Sequence, residues 1–307
     1  MKNGKYVLGL LVVALVCVSA AVKAQAPGPE KLSFTFHDVT ISGATEVDSY
    51  AINNSNILTG DYIDSSGTQH GMTCKLAPST GVCTSVTNID DPNGTKTLGY
   101  GINSSGDVVG FYLNSNGLDQ GFLYKGGNFT DIGPAGDVSQ ANGINDKGLI
   151  VGDYYDPNSG VEYGFLYAGK KYTQLAIPSA SATVAWAINS KGWITVFETA
   201  SGGGEPWDAY LTKDKGKKFT KIDVPGETYS VSHGINAADN ICYTAVNSGG
   251  TEDGALYYGG KYYTFDDPSG TNTRADGLNS KLVMVGRYGS GPSGGNGGYG
   301  FVAVTKK

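Results

Sequence analysis

The sequence predicts an all-β fold, a six-bladed β-propeller built of four-stranded blades. A motif of a small residue, Ile or Leu, and Asn recurs along the chain, and we call it the Ile-Asn motif. Its central residues are Ile52, Ile102, Ile144, Ile188, Ile235 and Leu278. Their separations of 50, 42, 44, 47 and 43 residues match the length of one propeller blade. Gly supplies 47 and Tyr 20 of the 307 residues, which is typical of an all-β protein with many tight turns.

Each repeat is predicted to contain four strands. In the second repeat the polar turn 104–106 follows the Ile-Asn motif and leads to a strand at 107–112, which is rich in Val and aromatic residues. A Gly- and Asn-containing loop precedes the third strand at 121–124, and a Gly-Gly turn leads to the fourth strand at 128–132. These turn residues are typical of hairpins, so consecutive strands should pair in antiparallel fashion.

The two ends of the chain are predicted to complete one blade together. The last repeat stops after its third strand, at 300–304, and residues 33–39 have the pattern of a fourth strand. An N-terminal strand that joins the C-terminal blade would close the ring and remove an open sheet edge. The alternative is an open solenoid in which 33–39 are a decayed repeat, but such an array needs polar capping repeats, and the sequence shows none.

Residues 1–24 have the features of a secretory signal peptide. Lys2 and Lys5 precede an apolar stretch at 6–22, and small residues follow it at the cleavage position. A membrane anchor is the alternative interpretation, but no later apolar run has the length of a membrane span.

Residues 25–32 are then a short linker, and residues 33–307 form a single domain. We predict a monomer that is secreted or periplasmic. The net charge of −6 argues against nucleic acid or an anionic membrane as a partner. Arg274 and Arg287 are the only arginines, so the sequence has no basic stripe that would neutralise phosphates.

The cysteines predict one disulfide. Cys17 leaves with the signal peptide, whereas Cys74 and Cys83 flank a turn between the third and fourth strands of the first repeat. We expect these two to lie opposite each other across a hairpin and to form a disulfide in an oxidising compartment. A metal-binding pair is the alternative, but no further ligand stands at a suitable spacing. Cys242 is predicted to be a buried, small apolar residue.

The repeats resemble the bacterial extracellular HAF repeat family. The resemblance rests on the recurring order Gly-Ile-Asn, Gly, Ile-Val-Gly, Tyr, Asp, Gly, Gly-Phe-Leu-Tyr and Tyr-Thr, which is clearest in repeats two and three. It covers essentially the whole mature chain, although residues 193–196 and 240–243 replace the Ile-Val-Gly strand in repeats four and five. The resemblance implies an exported repeat protein of undetermined biochemical activity and supplies no functional residues.

Comparison of the six repeats separates positions that recur from positions that vary. The residue directly before the Ile-Asn motif differs in almost every repeat: Tyr50, Tyr100, Asn142, Trp186, His233 and Asp276. We expect these residues to begin the innermost strands and to ring the mouth of the central channel. The residue before the third strand varies as well: His70, Gln120, Tyr163, Asp208, Asp253 and Tyr299.

Both variable positions are predicted to lie on one face, because the two loops that precede them emerge on the same side of an antiparallel blade. Aromatic rings amid Asp, Asn and Gln suit stacking on sugars or peptide groups. We therefore predict a binding or interaction module for an extracellular glycan or peptide. Its candidate ligand-binding residues are Tyr50, Tyr100, Asn142, Trp186, Trp207, Asp208, His233 and Asp276. The alternative is that these loops vary freely because packing does not restrain them.

Two other functions remain open. A carbohydrate-active enzyme, a glycoside hydrolase or lyase, would use carboxylates on the same face, with His233 as an acid or base. The candidate acids are Glu198, Glu205, Asp208, Asp253 and Asp276. The other alternative is a structural envelope protein whose repeats only adhere.

Two pairs of aspartates have a spacing that calcium ligands also show. They are Asp61 with Asp64 and Asp153 with Asp156. Turn capping by Asp64 and Asp156 explains them without a metal. We therefore assign no metal and no cofactor.

Overall fold

The computed structural model describes residues 32–134, 138–200, 204–289 and 298–306. These residues form an all-β fold of 24 strands, most of which pair with their neighbours in the chain as antiparallel hairpins. The predicted signal peptide and the predicted linker, apart from its last residue, lie outside these ranges. Within the ranges, no helix has the length and apolar character needed to cross a membrane.

The strands are named in chain order. The first nine are β1 (Ser33–Asp38), β2 (Ala44–Ile52), β3 (Ile57–Asp64), β4 (Gln69–Leu76), β5 (Cys83–Asn88), β6 (Thr97–Ile102), β7 (Val108–Leu113), β8 (Asp119–Lys125) and β9 (Asn128–Asp131). The next eight are β10 (Val138–Ile144), β11 (Ile150–Asp156), β12 (Val161–Ala168), β13 (Lys171–Leu175), β14 (Ala182–Ile188), β15 (Ile194–Ala200), β16 (Gly204–Thr212) and β17 (Thr220–Lys221). The last seven are β18 (Tyr229–Ile235), β19 (Ile241–Val246), β20 (Glu252–Tyr258), β21 (Lys261–Phe265), β22 (Asn272–Leu278), β23 (Val283–Gly289) and β24 (Tyr299–Lys306).

The strands pair in groups of four. Strands β6–β9, β10–β13, β14–β17 and β18–β21 each form a separate four-stranded sheet. Strands β2–β5 pair in the same order, and β22–β24 repeat it at the end of the chain. A parallel bridge between Val47 and Tyr299 joins these two groups into one eight-stranded sheet.

Strand β1 pairs with β24, as the sequence predicts. The antiparallel register runs from Ser33 opposite Lys306 to Asp38 opposite Phe301. The ring of Phe34 lies 4.6 Å from that of Phe265 between centroids. The N-terminal strand therefore occupies the fourth position beside β22–β24.

The core lies between neighbouring sheets. Val109 of β7, for example, shares a buried cluster with Ile144 of β10 and Phe165 of β12. The second strand of several repeats contains a Gly because the neighbouring strand lies too close for a side chain. A Cβ on Gly110, for example, would clash with the backbone oxygen of Leu98 on β6. Apolar side chains of β7, β10 and β12 are thus buried where two sheets meet.

The Asn of each Ile-Asn motif caps a turn. In the first motif, Oδ1 of Asn53 accepts hydrogen bonds from the backbone N–H groups of Ser55 and Ile57. This pattern satisfies two backbone donors in the tight turn and explains why the motif requires a short amide side chain.

The same asparagines link neighbouring repeats. Their Nδ2 groups donate to the backbone oxygen of the equivalent Asn in the next repeat: Asn53 to Asn103, Asn145 to Asn189, Asn189 to Asn236, Asn236 to Asn279, and Asn279 to Asn53. Asn103 donates instead to the carboxylate of Asp107. We call these six residues the asparagine ring. The bond from Asn279 to Asn53 joins the last repeat to the first across 226 positions of sequence, at 3.2 Å.

The predicted disulfide between Cys74 and Cys83 is confirmed, with a Cα–Cα distance of 5.6 Å. The two residues are not directly opposite in the ladder, however, because Cys83 pairs with Leu76 and the register shifts at Cys74. The irregularity moves Cys74 out of the regular pairing and brings it diagonally to Cys83. Cys242 is fully buried, as predicted.

Candidate functional site

The residue before each Ile-Asn motif occupies a β-bulge in the innermost strand. In β10 the register passes from Ala141 opposite Gly152 to Gly143 opposite Val151, so Asn142 is left without a partner in β11. The other innermost strands shift register at the same position. A bulge re-aims a side chain locally. The six bulge residues form what we call the central cluster: Tyr50, Tyr100, Asn142, Trp186, His233 and Asp276.

Most members of the central cluster contact one another. The rings of Tyr50 and Tyr100 lie 4.6 Å apart between centroids, and Tyr100 stacks on Trp186 at 5.5 Å. Trp186 meets the edge of His233 at 4.8 Å. His233 Nδ1 in turn lies 3.7 Å from Oδ1 of Asp276. The cluster therefore fills the middle of the fold with side chains from six successive repeats.

The prediction that these residues begin the innermost strands is wrong. Each is the third residue from the end of its strand, as Trp186 is in β14. Asn142 and Asp276 are only 2% exposed, so these members of the cluster are buried and do not ring an open mouth. The reason is that the second strand of each repeat also pairs with several residues upstream of the Ile-Asn motif, which extends the innermost strand in that direction.

A cavity of about 300 Å³ borders the central cluster on the side away from the asparagine ring. Three predicted site residues line it: Trp186, Trp207 and His233. The other lining residues are Gln140, Asp153, Glu162, Val184, Phe197, Thr199, Val231, Thr244, Glu252, Arg274 and Arg287. On the other side of the cluster a space of about 90 Å³ extends toward the Ile-Asn motifs.

Cross-strand pairs two residues before each bulge give the cavity its chemistry. The equivalent pairs are Asp48 with Asp61, Leu98 with Phe111, Gln140 with Asp153, Val184 with Phe197, Val231 with Thr244 and Arg274 with Arg287. The last four pairs line the cavity. One sheet thus contributes a carboxyl group to the cavity and the next contributes an apolar pair. The last sheet contributes two cations.

The two arginines are held by carboxylates. Arg274 donates from Nε and Nη2 to the two carboxylate oxygens of Glu252, at 2.5 and 2.6 Å. Arg287 donates from Nε to Asp276 at 3.0 Å, and its guanidinium lies 4.7 Å from the centroid of the Tyr50 ring. Asp276 and Tyr50 of the central cluster therefore position Arg287 from below the cavity.

A carboxyl pair lies on another part of the cavity lining. Asp153 accepts a hydrogen bond from Nδ2 of Asn142 at 2.7 Å. Burial, and next the charge of Glu162, raise the pKa of Asp153 well above its usual value. Burial also raises the pKa of Glu162. Because both values move upward, the pair retains a proton at a pH where isolated carboxylates have lost theirs.

His233 is neutral at physiological pH. Burial lowers its pKa to about 4, although the charge of Asp276 opposes the shift. Its Nε2 lies 3.2 Å from the hydroxyl of Thr244, which also lines the cavity. Nδ1 of His233 is buried and has no hydrogen-bond partner among the described residues. The ring therefore serves as a polar, uncharged part of the lining.

Asp48 and Asp61 form a separate depression of about 350 Å³ with Glu46, Gln69 and Lys96. Burial raises the pKa of Asp48 to about 6 and that of Asp61 to about 7. Oδ1 of each has no hydrogen-bond partner among the described residues. Two buried carboxyls directly opposite each other destabilise the fold when both are ionised.

The remaining predicted residues lie outside the cavity lining. Asp208 is bound by Lys221 at 2.6 Å and lies opposite Glu198 in the ladder. The pKa of Asp266 is raised to about 6, first by burial and then by the charge of the neighbouring Asp253. The side chain of Glu205 falls outside the described residues.

Asp64 and Asp156 cap turns, as the sequence-based interpretation holds. Asp64 accepts hydrogen bonds from the hydroxyl of Ser66 and from the backbone of Ser66 and Thr68, and Asp156 accepts them from the backbone of Asn158 and the hydroxyl of Ser159. These bonds lower the pKa of both carboxylates. The described residues contain no group of three or more His, Cys, Asp or Glu side chains arranged to hold a metal ion.

The sequence comparison missed Asp153, Glu162, Glu252, Arg274 and Arg287. It considered the residues next to the Ile-Asn motif and next to the third strand, whereas alternation along a strand places the residue two positions earlier on the same side. That earlier position also varies between repeats, from Gln140 to Arg274. A search at intervals of two would have found Arg274, but not its cross-strand partner Arg287.

Comparisons with known proteins reveal similarity only at the level of structure. No protein-family model and no curated protein sequence matches the chain. A putative TolB from Agrobacterium tumefaciens is similar with a TM-score of 0.56 and 14% identity, over 91% of this chain and 100% of its own. A protein of unknown function from Dyadobacter fermentans has a TM-score of 0.55 and 9% identity, over 90% of this chain and 99% of its own. The chain has a β-propeller fold.

A fungal lectin from Aleuria aurantia, a six-bladed β-propeller that recognises fucose, is also similar. Its TM-score is 0.48 at 13% identity, over 87% of this chain and 97% of its own. A similarity this loose carries no argument about a ligand. At such low identities the likeness describes the propeller fold alone, so the function must be argued from the cavity.

Proposed function

We propose that the protein is an exported propeller module that binds a glycan in the cavity beside the central cluster. The observation that carries this proposal is the meeting of two indole rings, Trp186 and Trp207, with carboxyl, guanidinium, imidazole and hydroxyl groups around one space of about 300 Å³. Aromatic faces stack on the apolar faces of sugar rings, and the surrounding polar groups hydrogen-bond to hydroxyls. A peptide ligand is the alternative within the same class of function.

The cavity is built for binding without large rearrangement. Trp186 is held on three sides, by Tyr100 at 5.5 Å, His233 at 4.8 Å and Phe197 at 6.0 Å between ring centroids. Trp207 packs edge-on against Tyr229 at 5.9 Å. Side chains that are already fixed lose little conformational entropy when a ligand arrives.

We propose further that six four-stranded blades form a closed ring, with β1 as the outer strand of the last blade. The pairing of β1 with β24 supports this arrangement, since it joins the two ends of the described chain in one sheet. The bond from Asn279 to Asn53 supports it independently, at the inner end of the same blades. A closed ring would fix the distances across the cavity, to which at least four blades contribute.

Export remains part of the proposal. The disulfide between Cys74 and Cys83 is typical of proteins that fold in an oxidising compartment. The signal-peptide features of residues 1–24 and the resemblance to the HAF repeat family point in the same direction. A secreted or periplasmic monomer is therefore the form in which we expect the protein to act.

A glycan array followed by titration calorimetry tests the binding proposal. Trp207→Ala should weaken binding by about 10- to 100-fold, since loss of a stacking aromatic costs on the order of 1 to 3 kcal/mol. Trp193→Ala is the matched control, because Trp193 lies after the Asn189 turn at the opposite end of its blade, beneath Lys191 and Lys213. Equal losses in both variants, or no binding to any glycan, would contradict the proposal.

The Asp153–Glu162 pair favours a second candidate, a glycoside hydrolase. Such an enzyme needs a carboxyl group that keeps its proton until it donates it to the leaving group, and the raised pKa of Asp153 beside Glu162 supplies one. Release of reducing sugar by the purified protein, abolished in Asp153→Asn, would support the enzyme. Binding of a glycan without release of sugar supports the binding module. If the protein neither binds nor cleaves a glycan, the structural envelope protein is the alternative that remains.

A further inference from the structure

We propose that the glycan bound in the cavity carries a carboxylate, as a uronic acid does, and that Arg274 and Arg287 bind it. The inference rests on the proposed glycan-binding function and specifies its ligand class. It concerns the last blade, where the two guanidinium groups face the same space.

The placement of arginine in this chain is selective. The sequence contains 22 Lys and Arg residues, of which only Arg274 and Arg287 are arginines. These two lie directly opposite each other in the β22–β23 ladder, and both line the cavity. Lysine suffices wherever a solvated positive charge is needed, whereas the planar fork of arginine fits a carboxylate with two parallel hydrogen bonds. The residue type and its position thus point to recognition of a planar anion.

Both guanidinium groups retain hydrogen-bond donors that the described protein does not use. Each guanidinium carries five N–H donors. Arg274 bonds to Glu252 through Nε and Nη2, and Arg287 bonds to Asp276 and to the Tyr50 hydroxyl through Nε and Nη1. Nη1 of Arg274 and Nη2 of Arg287 donate to no acceptor within the described ranges. The side chains are 25% and 21% exposed, so these unused edges are open to a ligand.

The placement of Arg274 opposite Arg287 lowers the stability of the sheet, which is unexpected if the pair has only a structural role. Like charges directly opposite each other in a ladder destabilise a sheet. Glu252 and Asp276 offset this repulsion, and they also fix the orientation of the two guanidinium groups before a ligand binds. A third carboxylate, supplied by the ligand, would bridge the remaining edges. Fixed donors pay less in entropy on binding than the mobile side chains of surface lysines.

The rest of the cavity tolerates an acidic sugar. The Asp153–Glu162 pair is a candidate for repulsion, because both residues line the same cavity. Burial and the neighbouring carboxyl raise the pKa of Asp153, so the pair carries less negative charge than two free carboxylates. The oxygens of this carboxyl pair can then hydrogen-bond to the sugar hydroxyls while the indole of Trp207 stacks on the sugar ring.

The test compares ligands that differ only in the carboxylate. Oligosaccharides of galacturonate, of alginate and of hyaluronan are titrated calorimetrically into the mature protein, each beside its carboxyl-reduced counterpart, in which the uronic acid has become a neutral sugar. We expect at least one acidic oligosaccharide to bind and its reduced counterpart to bind about 10- to 100-fold more weakly, the range for loss of charge-assisted hydrogen bonds.

The protein variants make the test specific for the arginine fork. Arg274→Lys and Arg287→Lys keep the charge but lose the planar donors, and each should weaken binding of the acidic oligosaccharide by about tenfold or more while leaving the reduced one within about twofold. Lys147→Gln is the control, because it removes a positive charge from an exposed turn beside the asparagine ring. It should leave both affinities unchanged.

The outcomes separate this inference from the function on which it rests. Binding of the reduced and acidic forms with equal affinity, or of neutral sugars alone, would overturn the carboxylate assignment and leave glycan binding intact. If short peptides bind through their C-terminal carboxylate and none of the oligosaccharides binds, the ligand is a peptide and not a glycan. If the protein binds none of these probes and no neutral glycan, the proposed function itself fails.

Discussion

The pairing of β1 with β24 should contribute a measurable part of the free energy of unfolding. In the double variant Phe34→Ala/Phe36→Ala, the strand keeps its backbone but loses the ring contacts that hold it to the last blade. These are Phe34 with Phe265 at 4.6 Å, Phe36 with Phe265 at 5.8 Å and Phe36 with Phe301 at 5.7 Å between centroids. Both phenylalanines are partly buried, so the loss should be smaller than at fully buried sites.

The expected magnitude follows from that partial burial. A fully buried Phe→Ala change costs about 3 to 5 kcal/mol. At half that value per site, the double variant should lose about 4 kcal/mol of unfolding free energy, which lowers Tm by roughly 7 °C for a domain of this size. Detachment of β1 would also expose the edge of β24, so we expect dimers or larger aggregates below the new Tm.

Thermal unfolding by circular dichroism and size-exclusion chromatography with light scattering measure the two effects. The control is Phe129→Ala, which removes a partly buried ring from β9, an outer strand that follows its partner β8 directly in the chain. It should lower Tm but leave the protein monomeric, because a short hairpin holds β9 in place. An unchanged Tm together with monomeric behaviour in the double variant, or in a variant lacking residues 33–38, would refute the reasoning.

Two further predictions concern stability. Replacing both Cys74 and Cys83 by Ser should cost about 2 to 3 kcal/mol, the chain-entropy value for a short loop, and mass spectrometry that finds two free thiols in the exported protein would contradict the pairing. Burial raises the pKa of Asp61 to about 7, so the folded state binds a proton more tightly than the unfolded state, and stability should fall as the pH rises from about 4 through 7. Asp61→Asn should therefore raise the unfolding free energy at pH 8, by up to about 4 kcal/mol, and change it little at pH 4; equal effects at both values would show that the buried charge is not the cause.

The fold was largely predictable because its determinants are local. The Ile-Asn motif recurs since each turn needs an amide at the position of Asn53, and hairpin turns set the strand order within each repeat. The pairing of β1 with β24 was predictable for a different reason: the last repeat lacks a fourth strand, and residues 33–39 have the pattern of one. The shift of register at Cys74 was not predictable, because β-bulges leave no reliable mark in a sequence.

The site was predictable only in part. Variation between repeats identified Trp186 and His233, since the framework positions around them recur. The depth of these residues was misjudged, because the true start of β14 depends on pairing with β15 and not on the motif itself. The arginine pair requires a cross-strand contact between Arg274 and Arg287, which the sequence contains only as two isolated residues in separate strands.

The central claim is that a glycan binds in the cavity and not at the asparagine ring. A crystal structure of the mature protein with the tightest-binding oligosaccharide from the titrations tests it most directly. We expect a sugar ring against Trp207, with its carboxylate within hydrogen-bond distance of Arg274 Nη1 or Arg287 Nη2. A sugar bound instead among the turns that follow Asn103 and Asn145 would contradict this placement.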